Sequence, residues 1–302
     1  MSLTVQQLRS LVAVIDKGSF TLAAGDLGVS QSAVSHAIAS MERELGGALV
    51  VRGTPLTSTP LGHRVLAHAR SAAAAIDALE SAARGDESLQ GVVRLGTVPT
   101  VCQGLMPSLL EEWSIALPGV RVEVYEGDDD EIPEWLDGGL VDVAILVEPS
   151  VLPDGSRIID IDEFAAVVRD DHPFAGGDAI PLEELAIDGL IVSTGGCESH
   201  VQRLHESAGI DFTVRHRVRE MSTLFAMVKQ GFGVSIVPSL GRGLLPQGLA
   251  MLPLVERQAR RLVLAGPSNR AQHPAVAPLI EAASPRRTMS QVDLLGARSA
   301  PA

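Results

Sequence analysis

The chain has 302 residues, 46% hydrophobic and 20% charged, with a formal charge of −13 and two cysteines. At roughly 150 residues per domain this suggests two domains with packed cores, and it excludes collagen-like, mucin-like and bulk disordered chains. Apolar runs such as Val143–Val147 fall far short of the ~20 residues of a membrane span, no secretory pattern opens the chain, and Cys102 and Cys197 are too few for a disulfide framework. These features lead us to expect a cytoplasmic protein without membrane association. Charge is unevenly spread: residues 1–84 carry seven Lys/Arg against six Asp/Glu, leaving 17 against 31 for the remainder. A near-neutral head on an acidic body suggests two tasks in one chain, and leaves room for a local DNA-reading face.

Thr4-Val-Gln-Gln7 reads as a capping box before a first helix carrying Leu8, Leu11, Val12 and Ile15 on one face. Gly18 suits a left-handed helix end, Ser19 caps a second helix through Ala23, Ala24 and Leu27, and Gly28 supplies a tight turn. Ser30 caps a third helix, Gln31–Leu45, whose inner face is Val34, Ile38, Met41 and Leu45. Two helices joined by a glycine-containing turn form a helix-turn-helix pattern, although an ordinary three-helix unit fits the same spacing. Free amides at the third helix's N-terminus suit a phosphate oxygen.

The run from Leu8-Arg9 through Gly18-Ser-Phe-Thr21, Ala23-Ala24, Ser30-Gln-Ser-Ala-Val-Ser35 and Glu44-Leu-Gly46 resembles the LysR-type transcriptional regulators. Thr59-Pro-Leu-Gly62 and the sheet-rich body extend the resemblance over about residues 1–285. It implies an α+β multidomain chain: an N-terminal winged helix-turn-helix, a long linker helix, and a C-terminal α/β effector domain of two subdomains, periplasmic-binding-protein-like. The expected divisions are 1–59, 60–90 and 91–285, with 286–302 a flexible tail. Subdomain I is expected over about 91–160 and 268–285, and subdomain II over about 161–267.

The resemblance puts Gln31, Ser32, Ser35 and His36 in the major groove beside Ser30, with Arg52 on a backbone phosphate. Glutamine pairs bidentately with adenine, serine is a tolerant partner and arginine supplies charge. Two departures stand out. His36 replaces the usual Arg or Lys, and the wing (50–59) is one residue short, carries only Arg52 and has Val50 at its aromatic position. Few phosphate contacts predict a shallow salt dependence and reliance on avidity.

Thr59 and Pro60 open a helix to about Arg84, along which Val65, Ala69, Ala72, Ile76, Leu79 and Ala83 form a heptad seam. Such a face often packs on its own domain. Placed between two domains, it is expected to self-associate as a homodimer or homotetramer on an inverted-repeat DNA operator. Gly85–Gly91 reads as a hinge.

Strands are expected at Val92–Thr97, Val120–Tyr125, Val141–Val147, Leu190–Ser193, Gly233–Val237 and Arg261–Ala265, with helices near 100–112, 131–138, 199–208, 221–231 and 274–284. This alternation implies α/β layers with largely parallel sheets. The resemblance adds two crossing strands near 158–165 and 264–268, with ligand bound between the halves. Thr97, Thr100, Val147, Ser193, Thr194, Gly195, Gly196 and Thr223 are the expected effector contacts. Hydroxyls and helix N-termini there suggest a small-molecule effector that is an anionic metabolite, although each hydroxyl also suits a plain N-cap.

Cys197 follows a glycine and opens a helix, as the peroxide-reactive cysteine does in one branch of the family. With no second cysteine nearby, redox sensing stays an alternative. Asp128-Asp-Asp-Glu131 is read as a solvated helix start, and Cys197, Glu198, His200 and His205 lack a zinc spacing. We expect no metal, no cofactor and no catalytic residues, since nucleophile-elbow and phosphate-loop patterns are absent from the sequence. A cytosolic binding protein or enzyme on the same α/β body remains a further alternative; it leaves the Ala24–Gly28 turn and Ser30–Ser35 run unexplained.

Overall fold

The computed structural model describes residues 3–53, 56–83 and 89–286. The first three helices form where their caps predict. In α1 (Val5–Lys17) the Gln7 amide donates to Thr4 Oγ1 at 3.3 Å and the Thr4 amide to Gln7 Oε1 at 2.7 Å. Gly18 ends that helix at φ +62°. Ser19 caps α2 (Phe20–Leu27), Gly28 turns the chain at φ +65°, and Ser30 caps α3 (Gln31–Leu45). A short antiparallel wing follows, β1 (Val50–Val51) against β2 (Thr57–Ser58).

Helix α4 (Pro60–Ala83) begins at Thr59, whose Oγ1 accepts from the Gly62 amide at 2.9 Å and donates to the Ala48 carbonyl at 2.6 Å. Gly62 is required there, because a Cβ would lie 1.9 Å from the Leu49 carbonyl oxygen. Over the first half of α4, the face expected to self-associate packs instead on its own domain. Val65, Leu66 and Ala69 pack into the head with Leu11, Val14, Val34, Ile38 and Met41. In the distal half Ile76 is half-buried and Leu79 is 68% exposed. The expected hinge and tail fall largely at 84–88 and 287–302, outside the described residues.

The body runs β3 (Gly91–Thr97), α5 (Pro99–Gly104), α6 (Met106–Ala116), β4 (Val120–Glu126), α7 (Glu131–Gly138), β5 (Val143–Val147) and the long β6 (Arg157–Arg169). It continues through α8 (Leu182–Asp188), β7 (Leu190–Ser193), α9 (Glu198–Ala208), β8 (Val214–Val218), α10 (Met221–Lys229) and β9 (Val234–Pro238). A 3₁₀ turn (Ser239–Leu244), β10 (Leu249–Pro253), β11 (Ala259–Ala265) and α11 (Val276–Ala282) complete it. The strands run β4-β3-β5-β11-β6-β9-β7-β8, with β10 also on β6.

Strand β3 pairs in parallel with β4 and β5, and β7 with β9, as the alternation predicts; β7 also pairs in parallel with β8, which the sequence reading did not include. Strands β6, β10 and β11 pair antiparallel, so the sheet is mixed. The first half of β6 pairs with β11 and the second half with β9 and β10, which makes β6 the first crossing. Strand β11 runs antiparallel beside β6 from Ala259 and takes up β5 from Leu262. Separate cores fill the halves: one around Trp113, whose indole donates to the Leu279 carbonyl at 3.0 Å, the other around Phe164, Leu182 and Val201. Among the described residues no helix is long and apolar enough to cross a membrane.

Candidate functional site

Two surfaces carry chemistry. On α3, burying Val34, Ala37, Ile38 and Met41 turns Gln31, Ser32 and His36 to solvent, with Ser35 half-buried beside them. Ser30 Oγ accepts from the Ala33 amide at 3.2 Å and lies 2.9 Å from Ser32 Oγ, so the two hydroxyls act as a pair at the helix start. The first turn of α3 holds no acid, which leaves its positive end available to a phosphate. Arg52 is exposed at the wing, its guanidinium 5.5 Å from the centre of the Phe20 ring. Five of the six residues predicted for the head thus lie at the start or along the open flank of α3, and Arg52 stands apart on the wing.

The second surface is a cavity of about 260 Å³ between the halves of the body. One wall is the start of α5 (Val98–Thr100, Gln103) and the segment Glu126–Asp129. The other is Ser193, Gly195, Cys197 and Arg219–Ser222, with Arg260 also lining the space. Of the predicted contacts, Thr100, Ser193 and Gly195 line it. Thr97 does not: it ends β3 fully buried. Thr223 is exposed on α10, and Ser222, one helical step away, faces the cavity instead. Val147 lines a separate cavity of about 490 Å³ with Glu148 and Pro149. Thr194 and Gly196 flank the main cavity without lining it.

The polar groups of the cleft are heavily engaged. Arg260 donates to Asp162 Oδ2 at 2.9 and 3.2 Å and to Thr100 Oγ1 at 2.8 Å. Ser193 Oγ donates to the Arg219 carbonyl at 2.9 Å and accepts from the Gly195 amide at 3.3 Å. Asp128 pairs with Arg219 at 2.8 Å, and Asp129 lies 3.2 Å from His200 Nε2, both spanning the cleft. Burial raises the pKa of Asp128; Arg219 opposes this, while Glu131, Asp129 and Glu220 add to it. Asp128 and Asp129 are therefore more than a solvated helix start. Among the described residues no cluster suited to a metal ion appears.

Cys197 is 7% exposed and its thiol is pushed up to about 12 by burial, with Arg260 pulling down and Asp129, Asp162 and Asp128 pushing further up. Cys102 reaches about 12 through burial and the neighbouring Glu126 carboxylate. Both thiols are protonated at neutral pH.

Residues 5–63 match the family described as bacterial regulatory helix-turn-helix protein, lysR family, and residues 86–286 match LysR substrate binding domain. The chain belongs to the LysR family. This LysR-type protein is a DNA-binding transcriptional regulator with a C-terminal effector-binding domain. It is 33% identical over 249 residues to an uncharacterized HTH-type transcriptional regulator, YvbU, of Bacillus subtilis, covering 81% of this chain and 84% of that one. It is 32% identical over 241 residues to a probable hydrogen peroxide-inducible genes activator of Mycobacterium leprae, covering 78% of each chain. In fold it is similar to full-length OxyR of Pseudomonas aeruginosa, with TM-score 0.74 and 22% identity over 95% of this chain and 100% of that one.

Sequence reasoning missed Glu126, Arg219, Glu220, Ser222 and Arg260 as cleft residues. Their available signal was position: Glu126 ends a strand, Glu220 precedes a helix, and Arg260 immediately precedes the run read as a strand from Arg261.

Proposed function

We propose that this regulator reads an inverted-repeat operator through Gln31, Ser32, Ser35 and His36, with Ser30 and Arg52 on backbone phosphates. It responds to a small molecule held in the cleft, its partners being double-stranded operator DNA, the effector and further copies of itself. The observation that carries this reading is the solvent-facing flank of α3, held in register by a buried opposite face and by the Ser30 cap. Pairing of the distal half of α4, where Leu79 is exposed, would set two heads on symmetric half-sites. The protein acts in the cytoplasm, without catalytic turnover and without a metal or cofactor. A competition gel shift tests the reading: Gln31→Ala should lose preference for specific DNA by about tenfold or more while retaining the fold. Unchanged preference would reject this face.

A second reading, a peroxide-responsive regulator acting through Cys197, draws support from the relative in Mycobacterium leprae and from the placement of Cys197 beside Thr100 and Arg260. The protonated, buried thiol weighs against it. Operator binding that shifts with peroxide in the native protein and not in Cys197→Ser would favour the redox reading.

A further inference from the structure

The charge of the cleft selects its ligand. Glu126, Asp128, Asp129 and Glu220 line the cavity against two guanidiniums, Arg219 and Arg260. Arg260 is already matched by Asp162, and Arg219 by Asp128. Glu126 on one wall and Glu220 on the other have no cationic partner among the described residues.

An anion's natural seat, the glycine turn before α9, is faced at close range by the chain's own carboxylates. A Cβ built on Gly195 would lie 3.1 Å from Asp128 Oδ1, and one on Gly196 would lie 2.7 Å from Asp129 Cγ. Of the hydroxyls expected to greet a carboxylate, Ser193 spends its proton on the Arg219 carbonyl, while Thr100 accepts from Arg260. Two carboxylates without a cationic partner repel an anion and attract a positive charge.

We propose that the effector is a small organic cation, an amine or a guanidine, met by Glu126 and Glu220 from opposite walls. The cavity is slightly smaller than most ligand pockets, so the molecule is compact. This inference rests on reading the cleft as the effector site, which the cavity and the substrate-binding-domain match support; the carboxylates only choose among ligands.

The test titrates the full-length protein with putrescine, agmatine, succinate and benzoate by thermal shift and calorimetry. At least one of the two cations should bind at millimolar concentration and neither carboxylate should. Glu126→Gln and Glu220→Gln, both exposed positions that should fold normally, should each weaken the cation by about tenfold or more. Preferential binding of succinate or benzoate, silence with all four compounds, or cation binding indifferent to both substitutions would overturn the proposal. Operator binding measured alongside separates the two levels. A carboxylate that alters operator occupancy overturns the charge class and leaves the effector cleft standing. A cation bound through both glutamates without effect on the operator supports the ligand class and fails the effector reading.

Discussion

Cys197 shows how far position in sequence and environment in the fold can diverge. A helix start ordinarily favours a thiolate, yet burial and three neighbouring aspartates hold this thiol near 12. Native-state alkylation of Cys197 by iodoacetamide, followed by mass spectrometry, should therefore be much slower than in the unfolded chain. Labelling at the unfolded rate would contradict the burial described here. Arg260 sets a second residue-scale expectation. Truncating Arg260→Ala removes the guanidinium that pairs with the fully buried Asp162 carboxylate, which also accepts from Ser239 Oγ and the Leu240 amide. The loss should be about 3 kcal/mol in a urea melt, and a change below about 1 kcal/mol would show the pair to be dispensable.

At the scale of elements, local signals were readable and tertiary ones were not. The caps and glycine ends of α1 to α3 lie within a few residues of each other, so Thr4, Gln7, Ser19, Gly28 and Ser30 foretell them directly. Strand β8 escaped because it is an edge strand with exposed Arg215 and Arg217, which leaves no apolar run. Strand β6 looked short because Asp160, Asp162 and Glu163 interrupt its apolar pattern; two of those acids are buried, and Asp162 serves Arg260. The charge of the cleft was equally hidden, because it depends on which strand ends the fold brings together. The segment before α11 carries a pH expectation. His273 Nδ1 accepts from the Ala275 amide at 3.1 Å in a buried setting, and burial lowers the imidazole pKa from its ordinary value. A depressed value means that the neutral ring's stabilisation is complete above about pH 6.5 and is lost as pH falls through the lowered folded value. Melting temperature should thus drop on acidification below about pH 6.5, with a shallower drop in His273→Asn. Equal slopes would remove His273 from the account.

The whole molecule joins head to body through charge. Asp16 on α1 takes ion pairs from both Arg70 on α4 and Arg94 on β3, while Arg70 also donates to the Gly139 carbonyl at 3.0 Å. Ser71 Oγ adds a hydrogen bond to the Ala271 carbonyl at 2.8 Å. Substituting Asp16→Asn leaves two largely buried guanidiniums without their shared carboxylate, and should cost about 3 kcal/mol in a denaturant melt. An unchanged melt would mean that this junction bears no load. The DNA-binding head itself is sparsely basic, with Arg52 at the wing and Arg43 late on α3. Operator affinity should accordingly fall gently with salt, by about 0.9 in log K per log salt for each phosphate neutralised, and depend on oligomer avidity. Footprinting on the DNA upstream of the protein's own gene is the most direct test of the central claim, that α3 reads bases from paired heads. Two protected half-sites in inverted orientation are expected, lost in Gln31→Ala. Protection that is absent at modest salt, or that survives this substitution unaltered, would contradict it.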